Sequence, residues 1–190
     1  MLKFIPVLEL PILVFMVFIR ARMLRRHGIK AIVFGDTDKT DFIIIPIVLF
    51  FFYGLLSTVI KLPFPEVLTK PLLEKEILYI VSIIICTASL VWFALTLKVF
   101  GKSFRVGIDE NTKDELITKG TFAFSRNPIY VGFISFFTGL LIAYSNILIL
   151  VFLLLFVTVI HRQILREEIF LIGHYGIKYE EYCKNVRRYI

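Results

Sequence analysis

The chain has few of the cysteines and histidines that form disulfide frameworks and metal centres. Its 190 residues include 2 cysteines and 3 histidines. Cys86 falls inside an apolar run and Cys183 inside a polar tail, so the topology predicted below keeps the two thiols apart. His27, His161 and His174 form none of the closely spaced arrays that zinc or di-iron enzymes use. We therefore expect free thiols and no metal.

Charge is also scarce. Charged residues make up 19% of the chain, whereas 58% of residues are hydrophobic and 20 are phenylalanine. The mean hydropathy of +0.83 exceeds what a water-soluble core of this size requires, so the composition predicts an integral membrane protein. The net charge of +7 lacks the basic stripe with interleaved aromatics that would indicate nucleic acid. We attribute it to topology and to anionic lipid headgroups.

Five apolar runs approach the roughly 20 residues that a helix needs to cross a bilayer core. These runs are 4–19, 42–60, 77–100, 129–143 and 147–160. The last two are short and nearly continuous, which predicts a tight helical hairpin whose second helix extends past the membrane through Glu168. The expected fold class is all-α: a polytopic membrane protein with five transmembrane helices, a long polar loop before the hairpin and C-terminal helices. Residues 1–100 would hold three of the transmembrane helices, and residues 101–190 the loop, the transmembrane hairpin and the C-terminal segment.

Basic residues are distributed unevenly between the predicted helices. Six lie in each of the segments 20–41, 98–126 and 162–190, and four lie elsewhere. Basic residues concentrate on the cytosolic side of membrane proteins. The three segments rich in basic residues are therefore predicted in the cytosol, and the N-terminus is predicted outside. The first apolar run lacks a basic n-region and a small-residue cleavage site, so we expect it to remain as a helix.

A polar segment opens the fourth apolar run. Pro128 suits the first turn of a helix, because its missing N–H is not needed there, and Asn127 suits the N-cap. The free N–H groups of that turn and the Arg126 guanidinium could receive a carboxylate. In the loop before it, Gly120 suits a turn with positive φ, and the apolar side chains around it predict a loop that folds back and lines a pocket.

A second polar cluster follows the fifth apolar run. Glu167 and Glu168 are adjacent on the predicted helix and point about 100° apart, so one of them at most faces a ligand directly. The neighbouring apolar face favours a carboxylate at the edge of a buried pocket. Gly176 is a natural helix C-cap. The tyrosines and arginines of 179–189 predict a short amphipathic helix at the interface, with the tyrosines packing rather than catalysing.

Taken together, these motifs resemble a known family. Residues 116–132 read L-I-T-x-G-x-F-x-x-x-R-N-P-x-Y-x-G, residues 166–171 read R-E-E-x-x-L, and residues 175–182 read Y-G-x-x-Y-x-x-Y. This order resembles the isoprenylcysteine carboxyl methyltransferase family of integral membrane enzymes, particularly its small prokaryotic members. The resemblance covers roughly residues 100–190 and is specific as a combination. It implies that residues 101–190 form the catalytic region, with a cytosolic cofactor-binding loop. The implied pocket for S-adenosylmethionine faces the cytosol and is capped by the C-terminal segment, with a lipid-side opening for a prenyl chain.

The resemblance also implies the residues of the site. Cofactor binding would fall on Asp114, Glu115, Leu116, Ile117, Phe122, Asn127, Pro128, Ile129, Tyr130 and Glu167. Glu167 would accept hydrogen bonds from the cationic amino-acid end of the cofactor. Two positions depart from the family pattern: Asn127 stands where a histidine is usual, and Gln163 stands where the substrate-side arginine is common. Arg162 and Arg166 flank Gln163 and share its predicted role in binding the substrate.

The predicted reaction is methyl transfer to the C-terminal carboxylate of a prenylated cysteine. A sulfonium methyl group is already activated, and a carboxylate is ionised at neutral pH, so the task is mainly positioning in a dry pocket. We assign catalysis to Arg162 or Arg166, which would aim the acceptor, and to Glu167.

Three alternatives remain open. A phospholipid N-methyltransferase would share the architecture and the cofactor, and it would need a base for its ammonium acceptor, which Glu168 or His161 could supply. A sterol-reductase-like enzyme would use NADPH instead. A non-enzymatic lipid-binding or scaffold protein would explain the helices but not the two polar clusters. The expected partners are membrane lipids and a lipid-like substrate entering from the bilayer.

Overall fold

The computed structural model describes residues 2–26, 44–101 and 116–190, and regular structure in these ranges is entirely helical. The α-helices are α1 (Ile5–Arg26), α2 (Ile44–Ile60), α3 (Glu66–Thr69), α4 (Glu76–Phe100), α5 (Pro128–Tyr144), α6 (Ile147–Tyr175) and α7 (Ile177–Asn185). Short 3-10 helices occur at Leu2–Phe4 and Gly120–Ala123. The all-α class predicted from the sequence is confirmed.

Within the described ranges, three helical segments are long and apolar enough to cross a membrane: Leu2–Arg26, Glu76–Phe100 and Ile147–Tyr175. The other two predicted spans form shorter apolar helices, at Ile45–Ile60 and Pro128–Tyr144. A helix of 17 residues is about 25 Å long, somewhat less than the hydrocarbon thickness. The length and apolar composition of these helices indicate an integral membrane protein. The count of five membrane spans stays a prediction.

The pair α4 and α5 packs most closely, because small residues line the contact. The Ser82 hydroxyl donates to the Gly139 carbonyl at 2.7 Å. A Cβ atom built on Gly139 would lie 2.5 Å from the Cys86 sulfur, and one built on Gly132 would lie 3.2 Å from the Phe93 ring. Small residues let two membrane helices approach closely and gain dispersion and hydrogen-bond energy that lipid cannot supply.

Phenylalanines fill the space between α2, α5 and α6. Phe51 is fully buried and stacks on Phe152 with ring centroids 3.7 Å apart. Phe137 meets the rings of Phe51, Phe152 and Phe156 edge to face, at 5.4, 5.0 and 4.9 Å. Edge-to-face pairs add about 0.5–1.5 kcal/mol each beyond the area they bury. The abundance of phenylalanine thus serves a continuous aromatic core.

Helix α1 contacts α4 through polar groups at two levels. The Thr87 hydroxyl donates to Glu9 Oε1 at 2.9 Å, within the apolar part of both helices. Arg20 Nη2 donates to the Gly101 carbonyl, just past the end of α4. Polar contacts between apolar helices fix their register, because either partner would otherwise be left unsatisfied.

The predicted tight hairpin joins α5 to α6 through Ser145 and Asn146. Ser145 adopts a left-handed conformation with φ of 41°, which reverses the chain in two residues. Asn146 is fully buried, and its Oδ1 accepts from the Ile149 N–H at 2.9 Å, which caps α6. Its Nδ2 donates to Thr58 Oγ1 at 3.2 Å and to the Thr69 carbonyl at 3.3 Å. The Asn146 side chain therefore links the hairpin to α2, through Thr58, and to α3, through Thr69.

We expect Asn146→Ala to destabilise the protein by about 2–3 kcal/mol, the sum of a lost helix cap and of buried groups left without partners. Thermal unfolding in detergent measures the change. Asn185→Ala is the matched control, because the Asn185 amide makes a single exposed hydrogen bond to the Glu181 carbonyl. Equal unfolding temperatures for the two variants would contradict the role given to Asn146.

Candidate functional site

The C-terminal residues 186–190, called the strap below, follow α7 and lie against the start of α5. The Arg126 N–H donates to the Arg187 carbonyl at 2.9 Å. The Ser125 hydroxyl and Asn127 Nδ2 both donate to the Arg188 carbonyl, at 3.3 and 3.1 Å. The amphipathic helix predicted over 179–189 is therefore shorter than expected. It ends at Asn185, and the remaining residues pair with a polar segment about 60 positions away.

The start of α5 differs in one respect from the prediction. Pro128 is the first helical residue and Asn127 occupies the N-cap position, both as expected. The Asn127 side chain makes no capping hydrogen bond, however, because it is directed to the strap instead. The Pro128 carbonyl accepts a hydrogen bond from Trp92 Nε1 at 2.7 Å, which fixes this first turn against α4.

A buried carboxylate stands at the centre of the site. Glu168 is 8% exposed, and Arg188 Nη2 donates to its Oε2 at 2.7 Å while Arg188 Nε lies 3.1 Å from both carboxylate oxygens. Arg126 Nη2 lies 3.1 Å from Oε1. We call these three residues the Glu168 cluster. The hydrogen bonds to Glu168 raise the pKa of Arg188, and the carboxylate holds the strap and the start of α5 together.

A second carboxylate lies beside the first and makes different contacts. The Tyr130 hydroxyl donates to Glu167 Oε1 at 2.7 Å, and Gln163 Nε2 donates to the same oxygen at 3.0 Å. All three side chains are half-buried. We call them the Glu167 cluster. Two neutral donors orient this carboxylate without cancelling its charge.

The two adjacent glutamates therefore have separate surroundings, as their angular offset on a helix requires. Glu168 is the more buried of the two and is bound by two guanidinium groups. Glu167 lies at the edge of the buried face, with Tyr130 of α5 opposite it. The expectation that one carboxylate sits at the edge of a pocket fits Glu167, while Glu168 takes a role that the sequence did not indicate.

Helix α7 packs on the loop before α5. Tyr179 and Tyr182 are buried, and the Tyr182 hydroxyl donates to the Phe122 carbonyl at 2.6 Å. Burial raises the pKa of Tyr182, so its hydroxyl remains a donor at neutral pH. Phe122 is itself buried and meets Phe100 edge to face at 5.0 Å. These tyrosines pack, as the sequence predicts.

The other residues predicted to bind the cofactor are only partly placed. Asp114 and Glu115 lie outside the described residues. Leu116 and Ile117 are half-buried in irregular backbone leading to the 3-10 helix, and Ile129 is half-buried and packs against the core. The chain thus brings an apolar wall and the Glu167 cluster to the same end of the helices.

The residues predicted to orient the acceptor differ in exposure. Arg162 is exposed and Arg166 is half-buried, both on α6. About 100° per residue places Arg162 roughly 140° around the helix from Glu167, on the face that points away from it. Gln163 shares the Glu167 face and contacts it directly. Of this trio, Gln163 is the residue for which the structure gives a contact with Glu167, and Arg166 is the more buried of the two arginines.

His161 and Tyr189 are in contact, although their positions in the sequence give no reason to pair them. His161 Nδ1 lies 2.7 Å from the Tyr189 hydroxyl, and the two rings are nearly parallel with centroids 6.2 Å apart. Tyr189 belongs to the strap, so the strap contacts α6 at both Glu168 and His161. No spacing rule relates residues 28 positions apart, and neither this pair nor the Arg188 contact could have been found from a motif.

Comparison with known proteins identifies one family. The family described as PEMT, phospholipid methyltransferase, matches residues 76–178, which include α4, α5 and α6 with both glutamate clusters except Arg188. No curated protein and no solved structure matches the chain.

Proposed function

This chain belongs to the phospholipid methyltransferase family, and from that premise we propose that it transfers the methyl group of S-adenosylmethionine to an acceptor carried by a membrane lipid. It is a membrane methyltransferase by family, and such enzymes generally use this cofactor. The same membrane methyltransferase superfamily includes the isoprenylcysteine enzymes that the motifs resemble. The NADPH-dependent alternative receives no support from this family.

The observation that carries the proposal is the Glu167 cluster. A half-buried carboxylate, oriented by Tyr130 and Gln163, suits the ammonium group at the amino-acid end of the cofactor. The half-buried Leu116 and Ile117 supply apolar surface on the chain segment before α5, where a nucleoside could pack. The residues present therefore fit the cofactor. When bound, it supplies a sulfonium-activated methyl group.

The chain's own task is then to bind, orient and exclude water. Glu167 would hold the cationic end of the cofactor, and the Glu168 cluster would keep the strap closed over the start of α5. Closure matters because a dry site strengthens the electrostatic contacts and keeps water from competing as an acceptor. Alignment of the acceptor with the methyl group supplies most of the rate enhancement in a reaction whose methyl group is already activated.

A phospholipid amine is the acceptor that we favour. The guanidinium groups of Arg126 and Arg188 are bound to Glu168, so these two cations are poorly placed to bind an acceptor carboxylate. The family description agrees with a phospholipid. An isoprenylcysteine carboxylate is the second candidate, supported by the motifs at 116–132 and 166–182 and by the half-buried Arg166 beside Gln163.

We expect Glu167→Gln to weaken S-adenosylmethionine binding by roughly 10- to 100-fold, because a hydrogen bond to a charged group is worth about 1.5–3 kcal/mol. Calorimetry on protein in nanodiscs measures the affinity. Glu180→Gln is the matched control, since Glu180 is exposed in the first turn of α7. Unchanged affinity in Glu167→Gln would overturn the assignment.

The acceptor is identified separately, by methyl transfer from labelled cofactor to phosphatidylethanolamine and to an S-farnesylcysteine analogue in the same vesicles. Methylation of the amine alone supports the favoured acceptor. Methylation of the carboxylate alone would replace it with the second candidate. Transfer to neither, by protein that binds the cofactor, would rule out both acceptors.

A further inference from the structure

His161 lies at the boundary between the apolar and the polar part of α6. It is the first polar residue after the apolar run 147–160 of α6, at the change from hydrocarbon-compatible to polar sequence. It lies two turns, about 10 Å, before Glu168 on nearly the same face of the helix. With the apolar run in the hydrocarbon core, His161 would lie at the level of the lipid headgroups, and the two glutamates lie farther along the polar end of α6.

An amine acceptor needs a base, because an ammonium group has no lone pair with which to attack a methyl carbon. Glu168 is unsuited to this task, since three guanidinium nitrogens of Arg126 and Arg188 lie within 3.1 Å of its oxygens. Glu167 is oriented by two donors and is assigned to the cofactor. His161 is half-buried, and its Nδ1 contacts the Tyr189 hydroxyl. Its other ring nitrogen, Nε2, is therefore the atom that we consider for proton transfer.

We propose that His161 is the general base that removes a proton from the ammonium group of a phospholipid acceptor, and that Tyr189 is the positioning residue that holds its ring. The inference rests on the proposed function. In the active tautomer, Nδ1–H donates to the Tyr189 hydroxyl oxygen, which leaves the Nε2 lone pair to accept the proton. The strap thereby determines the orientation of the base.

The step balances in atoms and charge. The proton passes from the acceptor nitrogen to Nε2, giving a neutral amine and an imidazolium. The amine nitrogen then forms a bond to the methyl carbon as the carbon–sulfur bond of the sulfonium breaks, and the bonding pair remains on sulfur. The products are a methylated ammonium lipid and the neutral thioether S-adenosylhomocysteine. The imidazolium returns its proton to water before the next cycle.

The groups around His161 are compatible with this role. Tyr189 of the strap contacts its ring, and Arg188, the residue before Tyr189, is bound to Glu168 about 10 Å along α6, where Arg126 also pairs with Glu168. Burial raises the pKa of Tyr189, so the phenol stays protonated and neutral across the range in which an imidazole ordinarily titrates. The charges of Arg126 and Arg188 are balanced in part by Glu168.

The test is the pH dependence of methyl transfer to phosphatidylethanolamine by wild-type protein and by His161→Gln in vesicles. The wild-type rate should fall on the acid side, because a protonated imidazole cannot accept a proton from the acceptor. His161→Gln should lose about 100-fold near neutral pH, within the usual range for a general base. It should recover as pH rises toward 9, because the amine then deprotonates by itself. A loss that is equal at every pH would mean a structural role and would overturn the proposal.

Tyr189→Phe gives a second test that does not depend on turnover. In protein labelled with carbon-13 at histidine ring positions, the His161 signal, assigned by its absence from His161→Gln, should change its tautomer-sensitive shift and its titration midpoint in Tyr189→Phe. Identical titrations would contradict the role of Tyr189. If wild-type protein methylates only the farnesylcysteine analogue, the favoured acceptor fails. If it methylates the amine and His161→Gln keeps the wild-type pH profile, the base assignment alone fails.

Discussion

Glu168→Ala is expected to abolish methyl transfer and to lower the unfolding free energy by about 3 kcal/mol, the lower end of the range for removing one member of a buried ion pair. The variant leaves the Arg126 guanidinium 11% exposed without its carboxylate, while Arg188, at 35%, regains water more easily. The strap would lose its ionic contact to α6. Thermal unfolding and transfer assays in nanodiscs measure the two effects.

Glu168→Gln should be intermediate, because its amide keeps one acceptor oxygen but no charge. Glu180→Ala on the exposed surface of α7 should change neither quantity measurably. Arg188→Lys should also reduce activity, since a lysine cannot reproduce contacts from both Nε and Nη2 to one carboxylate. Wild-type activity in Glu168→Ala would show that the ionic contact does not serve the site.

Gly139→Ala is expected to be strongly destabilising although it adds a single methyl group. The new Cβ would lie 2.5 Å from the Cys86 sulfur and 3.3 Å from Ile85 Cγ2, so that the Cys86 side chain or the two helices α4 and α5 must shift. Separation would also strain the Ser82 hydrogen bond to the Gly139 carbonyl. Overpacking of this kind costs about 1–3 kcal/mol or more, and unfolding in detergent should begin at a clearly lower temperature.

Two further variants isolate the cause. Gly173→Ala is the matched control, because a Cβ there meets nothing within 4 Å and alanine favours a helix by about 1 kcal/mol over glycine. It should be neutral or stabilising. Cys86→Ala combined with Gly139→Ala should recover most of the loss, since the clashing sulfur is gone. An additive double variant would contradict direct contact between the two positions.

Local chemistry predicted much of the fold. Gly120 has φ of +62°, Gly176 has φ of +57° at the end of α6, and Pro128 begins α5, each for a reason that can be read from one residue and its neighbours. The apolar runs predicted all five long helices, because a helix satisfies its own backbone in lipid. Whether α2 and α5 cross the bilayer depends on a few ångströms of length that composition does not determine.

The candidate site was less predictable because its defining contacts are not local. Asn127 was expected to cap α5, yet its amide is bound by the strap 61 positions away. Helical periodicity showed that Glu167 and Glu168 diverge, but the choice between them depends on where Arg126 and Arg188 lie. Burial and charge pairing of this kind depend on tertiary structure.

Because the strap pairs with residues 125–127, evolution should tolerate substitutions in the strap more readily than insertions or deletions before it. Residues 125–127 bind the main-chain carbonyls of Arg187 and Arg188. Many residue types can therefore replace the exposed Arg187 without loss of these hydrogen bonds. Insertion or deletion of one residue between Tyr182 and Arg188 would instead shift the carbonyls, the Glu168 contact and the Tyr189 hydroxyl together. Among relatives that share the strap, the length of this interval should therefore vary less than its composition.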